Sequence, residues 1–156
     1  MARVLVVGGA GYIGSHAAKA LSEQNHAVTI LDNLSTGFAD LDRFGEIIEG
    51  DLLDAAFLQS AVARAKPDAV FHLAAKSLAG ESMDEPAAYY AANVVGTLNL
   101  LEAMRALPVL PAMVFASTCA VYGISDEPLS ELAALAPITP FARSKRMAED
   151  ILADYG

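Results

Sequence analysis

The sequence predicts an α/β fold built on a doubly wound parallel sheet. Five short apolar runs, rich in β-branched residues and nearly free of polar alternation, lie at residues 3–7, 28–31, 46–49, 69–73 and 113–117. Stretches with apolar residues at helical spacing stand between or after these runs, at residues 12–24, 54–66, 86–107 and 139–155. Strands without polar alternation are buried on both faces, and intervening helices cover a parallel sheet. The order of elements therefore predicts helices on both faces of one parallel sheet.

The composition is that of one apolar and acidic globular domain. The 156 residues are 54% hydrophobic and 19% charged, which is too apolar for an intrinsically disordered chain. Ten basic against nineteen acidic residues give a net charge of −9, so the chain lacks a basic surface for nucleic acid or an anionic membrane. We therefore expect no nucleic-acid partner and no membrane partner, and we treat residues 1–156 as a single domain.

Cysteine and histidine usage predicts no metal site. Cys119 is the only cysteine, so neither a disulfide framework nor a thiolate metal cluster can form. Each of the three histidines lies apart from any second candidate ligand in the sequence. No run approaches the roughly 18 apolar residues of a membrane span. A lone cysteine fits a reducing compartment, and we expect a cytoplasmic protein.

A glycine-rich turn follows the first predicted strand. Residues 8–14 read GGAGYIG, in which Gly8, Gly11 and Gly14 are evenly spaced and Gly9 adds a GxGxxG spacing. A turn without Cβ atoms lets the N–H groups at the start of the next helix approach a pyrophosphate. Because a strand precedes the turn and a helix follows it, the pattern predicts a Rossmann-type dinucleotide-binding domain.

Asp32 stands at the end of the second predicted strand, eighteen residues after Gly14. A carboxylate at this place accepts hydrogen bonds from both hydroxyls of an adenosine ribose. A 2′-phosphate would meet Asp32 with like charge, and no arginine follows directly to relieve the repulsion. The alternative for Asp32 is an ordinary helix cap or loop charge. Together with the glycine turn, Asp32 favours NAD over NADP.

Six segments distributed over the chain together resemble one enzyme family. They read GGAGYIGSH from Gly8, LDNLS from Leu31, GDL from Gly50, GES from Gly80, YYAANV from Tyr89 and STCAVYG from Ser117. This set is similar to that of UDP-glucose 4-epimerases, which belong to the extended short-chain dehydrogenase/reductase superfamily. The resemblance covers the whole chain. In that family a substrate-covering part follows the position of Gly156, so we expect a Rossmann-type NAD-binding domain truncated before the substrate part.

The resemblance implies which residues contact NAD, with Asp51 and Leu52 at the adenine. Three of these residues have an alternative role: Asp51 could cap a helix, Leu52 could belong to the core, and Asn93 could satisfy helix backbone. The full implied set is Gly8, Gly11, Tyr12, Ile13, Gly14, Asp32, Asn33, Asp51, Leu52, Asn93 and Lys145.

The reaction that the resemblance implies needs a base that this chain lacks. NAD would oxidise the C4 hydroxyl of a UDP-sugar, and the hydride would return to the opposite face of the 4-keto intermediate. In the family the base is the tyrosine of a YxxxK motif, assisted by the lysine and by a Ser or Thr hydroxyl. The corresponding catalytic positions here are Thr118, Lys145 and Phe141, which takes the place of the tyrosine. Since a phenyl ring has no oxygen to ionise, we expect the chain to be inactive as it stands.

Two further positions bear on the reaction. Cys119 and Ala120 follow Thr118 where dehydratases of the superfamily carry an acidic pair, so the sequence favours epimerisation over dehydration. Relatives place a pyrophosphate-facing lysine one position after Lys76, which leaves the role of Lys76 open.

The sequence leaves one first hypothesis and two alternatives for function. The first is an NAD-dependent UDP-glucose 4-epimerase, interconverting UDP-galactose and UDP-glucose, of which this chain is the NAD-binding part. The alternatives are a catalytically silent NAD-binding or assembly module and an epimerase of another UDP-sugar. In the family, helices corresponding to residues 86–107 and 139–155 pair across a dimer interface, and an uncovered strand edge at residues 113–117 would favour self-association. We therefore expect a homodimer or a larger assembly.

Overall fold

The computed structural model describes residues 1–38 and 40–156, and these contain a five-stranded, all-parallel sheet. The strands are β1 (Arg3–Val7), β2 (Ala27–Asp32), β3 (Glu46–Glu49), β4 (Ala69–His72) and β5 (Ala112–Phe115). Their order across the sheet is β3-β2-β1-β4-β5, so the chain reverses its direction of winding at β1. Ligands of such sheets bind at the carboxyl ends of the strands beside this reversal. The predicted fold class is confirmed.

Helices alternate with the strands. They are α1 (Tyr12–Glu23), α2 (Ala55–Ala65), α3 (Glu81–Asp84), α4 (Pro86–Tyr90), α5 (Gly96–Arg105) and α6 (Pro140–Tyr155), with 3₁₀ turns at Asp42–Phe44 and Cys119–Tyr122. The sequence pattern does not predict α3 or the 3₁₀ turns, because three or four residues are too few to show a helical period. None of the described helices is long and apolar enough to cross a bilayer.

The single helix predicted over residues 86–107 is interrupted. Between α4 and α5 the chain makes one wide π-helical turn at Ala91–Val95. The hydroxyl of Thr97 donates to the carbonyl of Asn93 at 2.7 Å inside this region. A side-chain bond to the backbone inside a widened turn satisfies a carbonyl group at the irregularity. Apolar spacing alone does not reveal such a turn.

The described residues form two compact units. The sheet unit comprises Met1–Ala74 and Asn99–Ala116, and it contains all five strands. The helical unit comprises Ala75–Leu98 and Ser117–Gly156. The sequence-based assignment of residues 1–156 to a single domain stays a prediction.

Apolar residues of β1 alternate between two clusters in the sheet unit. Leu5 and Val7 belong to one cluster, which also includes side chains of α2 and α5. Val4 and Val6 belong to the other, which includes Ala18 of α1. Since successive strand side chains point to opposite faces, both faces of the sheet are covered by helices. This arrangement explains why the strands read as continuous apolar runs.

The helical unit is organised around α6. Its first turn is capped by Thr139, whose hydroxyl accepts a hydrogen bond from the N–H of Ala142 at 3.1 Å. Pro140 occupies the first turn, where the lack of an N–H costs nothing. The buried side of α6 includes Phe141 and Lys145, so the cap and the proline fix the start of a helix that bears two predicted catalytic positions.

Candidate functional site

The glycine turn between β1 and α1 is tightly closed. Gly8 has a φ of +79°, and its N–H donates to the carbonyl of Leu31 at 2.8 Å. A Cβ on Gly14 would lie 2.0 Å from the carbonyl oxygen of Gly8, and a Cβ on Gly8 would lie 2.4 Å from the nitrogen of Ala74. The backbone itself therefore excludes side chains at Gly8 and Gly14, as the close turn in the sequence pattern requires.

Gly11 differs from Gly8 and Gly14 because no neighbour among residues 1–38 and 40–156 would clash with a side chain there. Its φ is −75°, which any residue adopts. A Cβ built there would have ordinary contact at 3.4 Å with the Gly8 oxygen and no closer neighbour. The space that a side chain would take at Gly11 is outside the turn, at the start of α1. An approaching anion needs that space, so the residues present fit a dinucleotide pyrophosphate.

The amino end of α1 is open to a ligand. No side chain caps this end and its first turn holds no acidic residue. The first N–H bonded within the helix is that of Ser15, to the Gly11 carbonyl at 2.9 Å. Tyr12 and Ile13 are 82% and 65% exposed. The N–H groups before Ser15 therefore have the orientation and positive helix end that favour a phosphate.

Asp32, at the end of β2, holds the glycine turn in place. Its Oδ2 accepts from the N–H of Ala10 and its Oδ1 accepts from the N–H of Leu34, both at 2.9 Å. The side chain is half-buried, and each carboxylate oxygen can accept a further hydrogen bond. The structure thus gives Asp32 a loop-fixing role and leaves capacity for the two ribose hydroxyls predicted from the sequence.

Two residues that are predicted to bind the cofactor connect the loop after β2 to the loop after β3 by a hydrogen bond. The amide of Asn33 donates to Oδ2 of Asp51 at 2.8 Å, and Oδ1 of Asp51 accepts from the N–H of Leu53 at 2.9 Å. The Leu52 side chain packs against the core, and its carbonyl accepts from the amide of Asn99 at 2.9 Å. The structure therefore brings Asn33, Asp51 and Leu52 together, and Leu52 also contributes to the core.

The predicted catalytic positions lie in the helical unit. The hydroxyl of Thr118 accepts from the N–H of Ala120 at 3.1 Å and caps the 3₁₀ turn that follows. The Phe141 ring is buried and meets the ring of Tyr89 edge-on, with centroids 6.4 Å apart. Lys145 lies one helical turn after Phe141 and is 3% exposed. Burial lowers the pKa of Lys145 to about 8, against an opposing effect of the Glu149 carboxylate.

Asn93, at the centre of the π-helical turn, is 2% exposed and fully engaged with the protein. Its Nδ2 donates to the carbonyl of Lys76 and to the hydroxyl of Ser144, both at 2.9 Å. Its Oδ1 accepts from the N–H of Lys76, also at 2.9 Å. The hydroxyl of Ser144 in turn donates to the carbonyl of Phe141 at 2.7 Å. Asn93 therefore links the backbone of Lys76 to the first turns of α6. This agrees with the alternative role, in which the Asn93 amide pairs with backbone hydrogen-bonding groups.

Lys76 is engaged within its own unit. Its ammonium lies 2.6 Å from Glu81 and 5.2 Å from the centroid of the Tyr89 ring. The hydrogen bond to Glu81 raises the pKa of Lys76 and lowers that of Glu81. Burial raises the pKa of Tyr89. The sequence pattern assigns no role to Tyr89 or Ser144, and the spacing of four between Tyr89 and Asn93 is the one signal for Tyr89.

Comparisons with known proteins identify the family of this chain. The family model described as "NAD dependent epimerase/dehydratase family" matches residues 4–156. The chain is similar to UDP-glucose 4-epimerase from Rhizobium meliloti (strain 1021), with 46% identity over 98% of this chain and 47% of the relative. It is also similar to UDP-arabinose 4-epimerase 1 from Arabidopsis thaliana, with 42% identity over 97% of this chain and 39% of that relative.

Solved structures give the same family. The crystal structure of UDP-glucose 4-epimerase from Brucella ovis in complex with NAD matches with a TM-score of 0.94 and 48% identity, covering 99% of this chain and 48% of that one. The chain thus spans about half the length of the relatives that it matches. With a family model over nearly the whole chain and the expected sheet, glycine turn and acidic residue in place, this chain belongs to the NAD dependent epimerase/dehydratase family.

Proposed function

We propose that this chain is the NAD-binding part of a UDP-glucose 4-epimerase and is silent in the proton-transfer step of that reaction. The observation that supports NAD binding best is Gly11, where a Cβ would meet no atom of the described residues closer than 3.4 Å. An uncapped helix end and a glycine whose only open side faces outward suit a pyrophosphate. The NAD complex of the Brucella ovis relative supports the choice of cofactor.

In the sheet unit, the residues that follow three of the strands would each bind a different part of the cofactor. Gly8, Gly11 and Gly14, with the backbone of Tyr12 and Ile13, would hold the pyrophosphate after β1. Asp32 would accept the ribose hydroxyls after β2, and the loop of Asn33, Asp51 and Leu52 would hold the adenine. When bound, NAD supplies a hydride acceptor for the sugar C4. Asp32 favours NAD over NADP because a 2′-phosphate would face its carboxylate.

The helical unit would supply the groups that handle the substrate hydroxyl. Thr118 can hydrogen-bond the sugar oxygen, and the Lys145 ammonium would stabilise a neighbouring anion and contact the cofactor. Asn93 is buried and hydrogen-bonded to Lys76 and Ser144, so its contact with the cofactor stays a prediction. At position 141, where the family has its tyrosine, the buried phenyl ring of Phe141 cannot take or return a proton. We therefore propose that the chain binds NAD and does not turn over UDP-galactose.

Calorimetric titration with NAD and NADP tests the cofactor proposal. We expect NAD to bind more tightly than NADP to the wild-type chain. Gly11→Ala should lose at least about tenfold in NAD affinity with little change in thermal stability, because its Cβ fills the space of the pyrophosphate. Gly80→Ala is the matched control, since a Cβ there meets nothing within 4 Å. Unchanged NAD binding by Gly11→Ala would show that the pyrophosphate lies elsewhere.

Asp32→Ala is a less specific variant than Gly11→Ala. The Asp32 carboxylate also accepts hydrogen bonds from the N–H groups of Ala10 and Leu34. Removing the carboxylate would therefore disturb the glycine turn as well as the ribose site. The discriminating readout is the ratio of NAD to NADP affinity, which should fall towards one in this variant. An unchanged ratio would remove Asp32 from the ribose site.

A second candidate function is epimerisation of another UDP-sugar, such as UDP-arabinose. It is supported by the 42% identity to the Arabidopsis thaliana UDP-arabinose 4-epimerase. Turnover of UDP-arabinose against UDP-galactose separates the two substrates. It is measured with position 141 restored to tyrosine in the chain joined in turn to the carboxyl-terminal half of each relative, because this chain spans less than half the length of both. A third candidate is a silent NAD-binding or assembly module, which predicts NAD binding with no turnover of either sugar even after that restoration.

We also propose that the protein is cytoplasmic, because a single cysteine, Cys119, fits a reducing compartment.

The proposal includes self-association. Among the described strands β5 forms one edge of the sheet, and its Val114 is 53% exposed. In the helical unit Val95 and Met147 are about half exposed. Apolar edges and faces of this kind pair with another chain. Sedimentation at micromolar concentration should show a dimer or larger species, and a strictly monomeric profile would contradict this part of the proposal.

A further inference from the structure

The loop that joins β3 to α2 is hydrogen-bonded at both of its ends. The N–H of Gly50 donates to the carbonyl of Asp32 at 3.0 Å, and the N–H of Asp54 donates to the carbonyl of Asp51 at 3.1 Å. The Asp54 carboxylate caps α2, because it accepts from the N–H of Phe57 at 3.0 Å. These bonds fix the ends of the loop and leave the peptide at its centre to be fixed by other groups.

That central peptide is hydrogen-bonded through both its carbonyl and its N–H. The carbonyl of Leu52 accepts from Nδ2 of Asn99 at 2.9 Å. The N–H of Leu53 belongs to the same peptide unit and donates to Oδ1 of Asp51 at 2.9 Å. Because a peptide unit is planar, a bond that fixes its carbonyl also fixes the direction of its N–H. Asn99 therefore sets the direction of the N–H that the Asp51 carboxylate accepts.

The Asp51 carboxylate is held through both oxygens and still has room for a ligand. Its Oδ2 accepts from the amide of Asn33 at 2.8 Å, while Oδ1 accepts from Leu53. Each oxygen of a carboxylate has capacity for a further hydrogen bond, and an ionised carboxylate only accepts. Asp51 is exposed. It is therefore an oriented acceptor that suits a base carrying an amino group, as adenine does.

Asn99 lies on a helix that is anchored in the core. Leu100, Ala103 and Met104 of α5 belong to one of the two apolar clusters of the sheet unit. Asn99 itself is half-buried, 47 positions from Leu52 in the sequence, and the Leu52 carbonyl is the one hydrogen-bond partner of its side chain among the described residues. The Asn99 amide therefore ties the loop to a rigid element and makes no second hydrogen bond that would explain its presence.

Gln59 provides a comparison at the same place in the fold. A groove of about 400 Å³ lies between α2 and α5, and both Gln59 and Asn99 line it. Gln59 is exposed, and within residues 1–38 and 40–156 its amide has no hydrogen-bond partner. Two amides thus line one groove, and Asn99 is the one that reaches the loop.

We propose that Asn99 is a positioning residue for recognition of the base: by holding the peptide between Leu52 and Leu53, it directs the Asp51 carboxylate towards the amino group of the adenine. This inference rests on the proposed function, which puts the adenine at this loop. Asn99 acts through the peptide and touches no ligand itself. All of these residues belong to the sheet unit, so the helical unit takes no part.

The series of hydrogen bonds explains why base recognition should depend on Asn99. Hydrogen bonds in series polarise one another, so donation from Asn99 to the peptide carbonyl strengthens donation from the peptide N–H to Asp51. Without the Asn99 amide, the peptide is free to rotate and the carboxylate loses one of the two bonds that orient it. The glycine turn and Asp32 make no bond to Asn99, so binding of the pyrophosphate and the ribose should continue.

Nicotinamide hypoxanthine dinucleotide is the probe, because it differs from NAD in carrying an oxo group where adenine has its amino group. The wild-type chain should bind NAD at least about tenfold more tightly than this analogue, since the oxo group would meet a carboxylate with no proton to share. Asn99→Asp keeps the shape of the side chain and replaces its N–H donor with an acceptor. In this variant NAD affinity should fall about tenfold, while affinity for the analogue stays within about twofold of wild type.

Gln59→Glu is the matched control, because it makes the same change of amide to carboxylate in the same groove. It adds the same negative charge without touching the loop, so its ratio of NAD to analogue affinity should equal that of wild type. Asn99→Ala and Gln59→Ala repeat the comparison without an added charge, and the ratio should fall in Asn99→Ala alone. Calorimetric titration measures all of these affinities.

The outcomes separate this inference from the proposed function. If the wild-type chain binds neither dinucleotide, the proposed function fails. If it binds both equally, the assignment of the adenine to Asp51 fails, and the role of Asn99 fails with it. If the wild type discriminates and both Asn99 variants discriminate equally well, or weaken both ligands in the same proportion, the positioning role is wrong and the proposed function stands.

Amide hydrogen exchange tests the same role without any ligand. The Leu53 N–H should exchange about tenfold faster in Asn99→Asp than in the wild-type chain, because the peptide is no longer held at its carbonyl. Gln59→Glu should leave the rate unchanged. Equal Leu53 exchange rates in Asn99→Asp and wild type would overturn the proposal.

Discussion

The sheet unit and the helical unit build their functional groups in opposite ways. In the sheet unit the predicted ligand contacts are backbone N–H groups and side chains at the surface, such as Asn33 and Asp51, above an apolar core. The helical unit buries several polar side chains, whereas His72 is the one that the sheet unit buries among its described residues. The buried polar or charged residues of that unit are Ser82, Asn93, Thr97, Ser144 and Lys145.

The difference follows from what each architecture can supply. A parallel sheet brings the ends of its strands to one edge, so loops such as the glycine turn are placed by strand order. Helices without a sheet have no such edge, and hydrogen bonds from side chains to backbone groups must fix the neighbouring segments. Asn93 and Tyr89 do this for residues 76–78. We therefore expect substitutions in the glycine turn of the sheet unit to act by steric clash, and substitutions at the buried polar positions of the helical unit to act through charge and hydrogen bonding.

The largest effect is expected at Phe141 in the helical unit. When the chain is joined to the carboxyl-terminal half of the Rhizobium meliloti relative, Phe141→Tyr should raise UDP-galactose epimerisation by about 10²–10⁴, because it restores a positioned acid/base. A coupled assay of UDP-glucose formation measures the rate. Phe141→Leu in the same fusion is the control and should stay at the wild-type level. If the Phe141 fusion already runs at the rate of its tyrosine counterpart, position 141 is not that of the base.

The next effect is a clash in the sheet unit. Gly14→Ala places a Cβ 2.0 Å from the Gly8 carbonyl oxygen, so the turn must open, and the free energy of unfolding should fall by about 3 kcal/mol. Urea unfolding measures it. Gly80→Ala, in open space, should change stability by no more than about 0.5 kcal/mol. Equal stability of the two variants would show that the turn yields at little cost.

Lys145 should make stability depend on pH. Its pKa of about 8 in the folded chain lies below the ordinary value of 10.5, so between these values the unfolded chain binds more protons and stability rises with pH. Lys145→Met removes this dependence. Its gain in unfolding free energy over wild type should be larger at pH 7 than at pH 10.5, by up to about 3 kcal/mol. Urea unfolding from pH 7 to 10.5 checks this, and a constant difference would contradict it.

The smallest effect is expected at the exposed Arg3–Asp68 pair of the sheet unit. The Arg3 guanidinium and N–H hold the pKa of Asp68 at about 2. Arg3→Ala should return this pKa towards its ordinary value, as measured by NMR titration, with Arg64→Ala as a control that leaves Asp68 untouched. The stabilising contribution is present above about pH 4 and is lost as pH falls through about 2. Because both side chains are about half exposed, the change in stability should be slight.

The local sequence pattern was sufficient to predict those features of the protein that neighbouring residues in the sequence determine. Apolar runs without alternation predict buried parallel strands, and all five are observed. The spacing of Gly8, Gly11 and Gly14 predicts the closed turn, since a turn is made by adjacent residues. The position of Asp32 at the end of β2 is likewise predicted by the end of the second apolar run. The sequence pattern did not distinguish Gly11, open to the outside, from Gly14, closed against Gly8.

Tertiary structure decided the features that depend on distant residues. The helix predicted over residues 86–107 is widened at Ala91–Val95, and Asn93 there bonds Ser144, 51 positions away. Lys76 pairs with Glu81 beside Tyr89, whose hydroxyl holds Leu78. Hydrophobic periodicity reports which face of a helix is buried, but it does not report what a buried polar atom meets. That partner is set by packing, because a buried hydrogen-bonding group takes whichever complementary group the fold brings within reach.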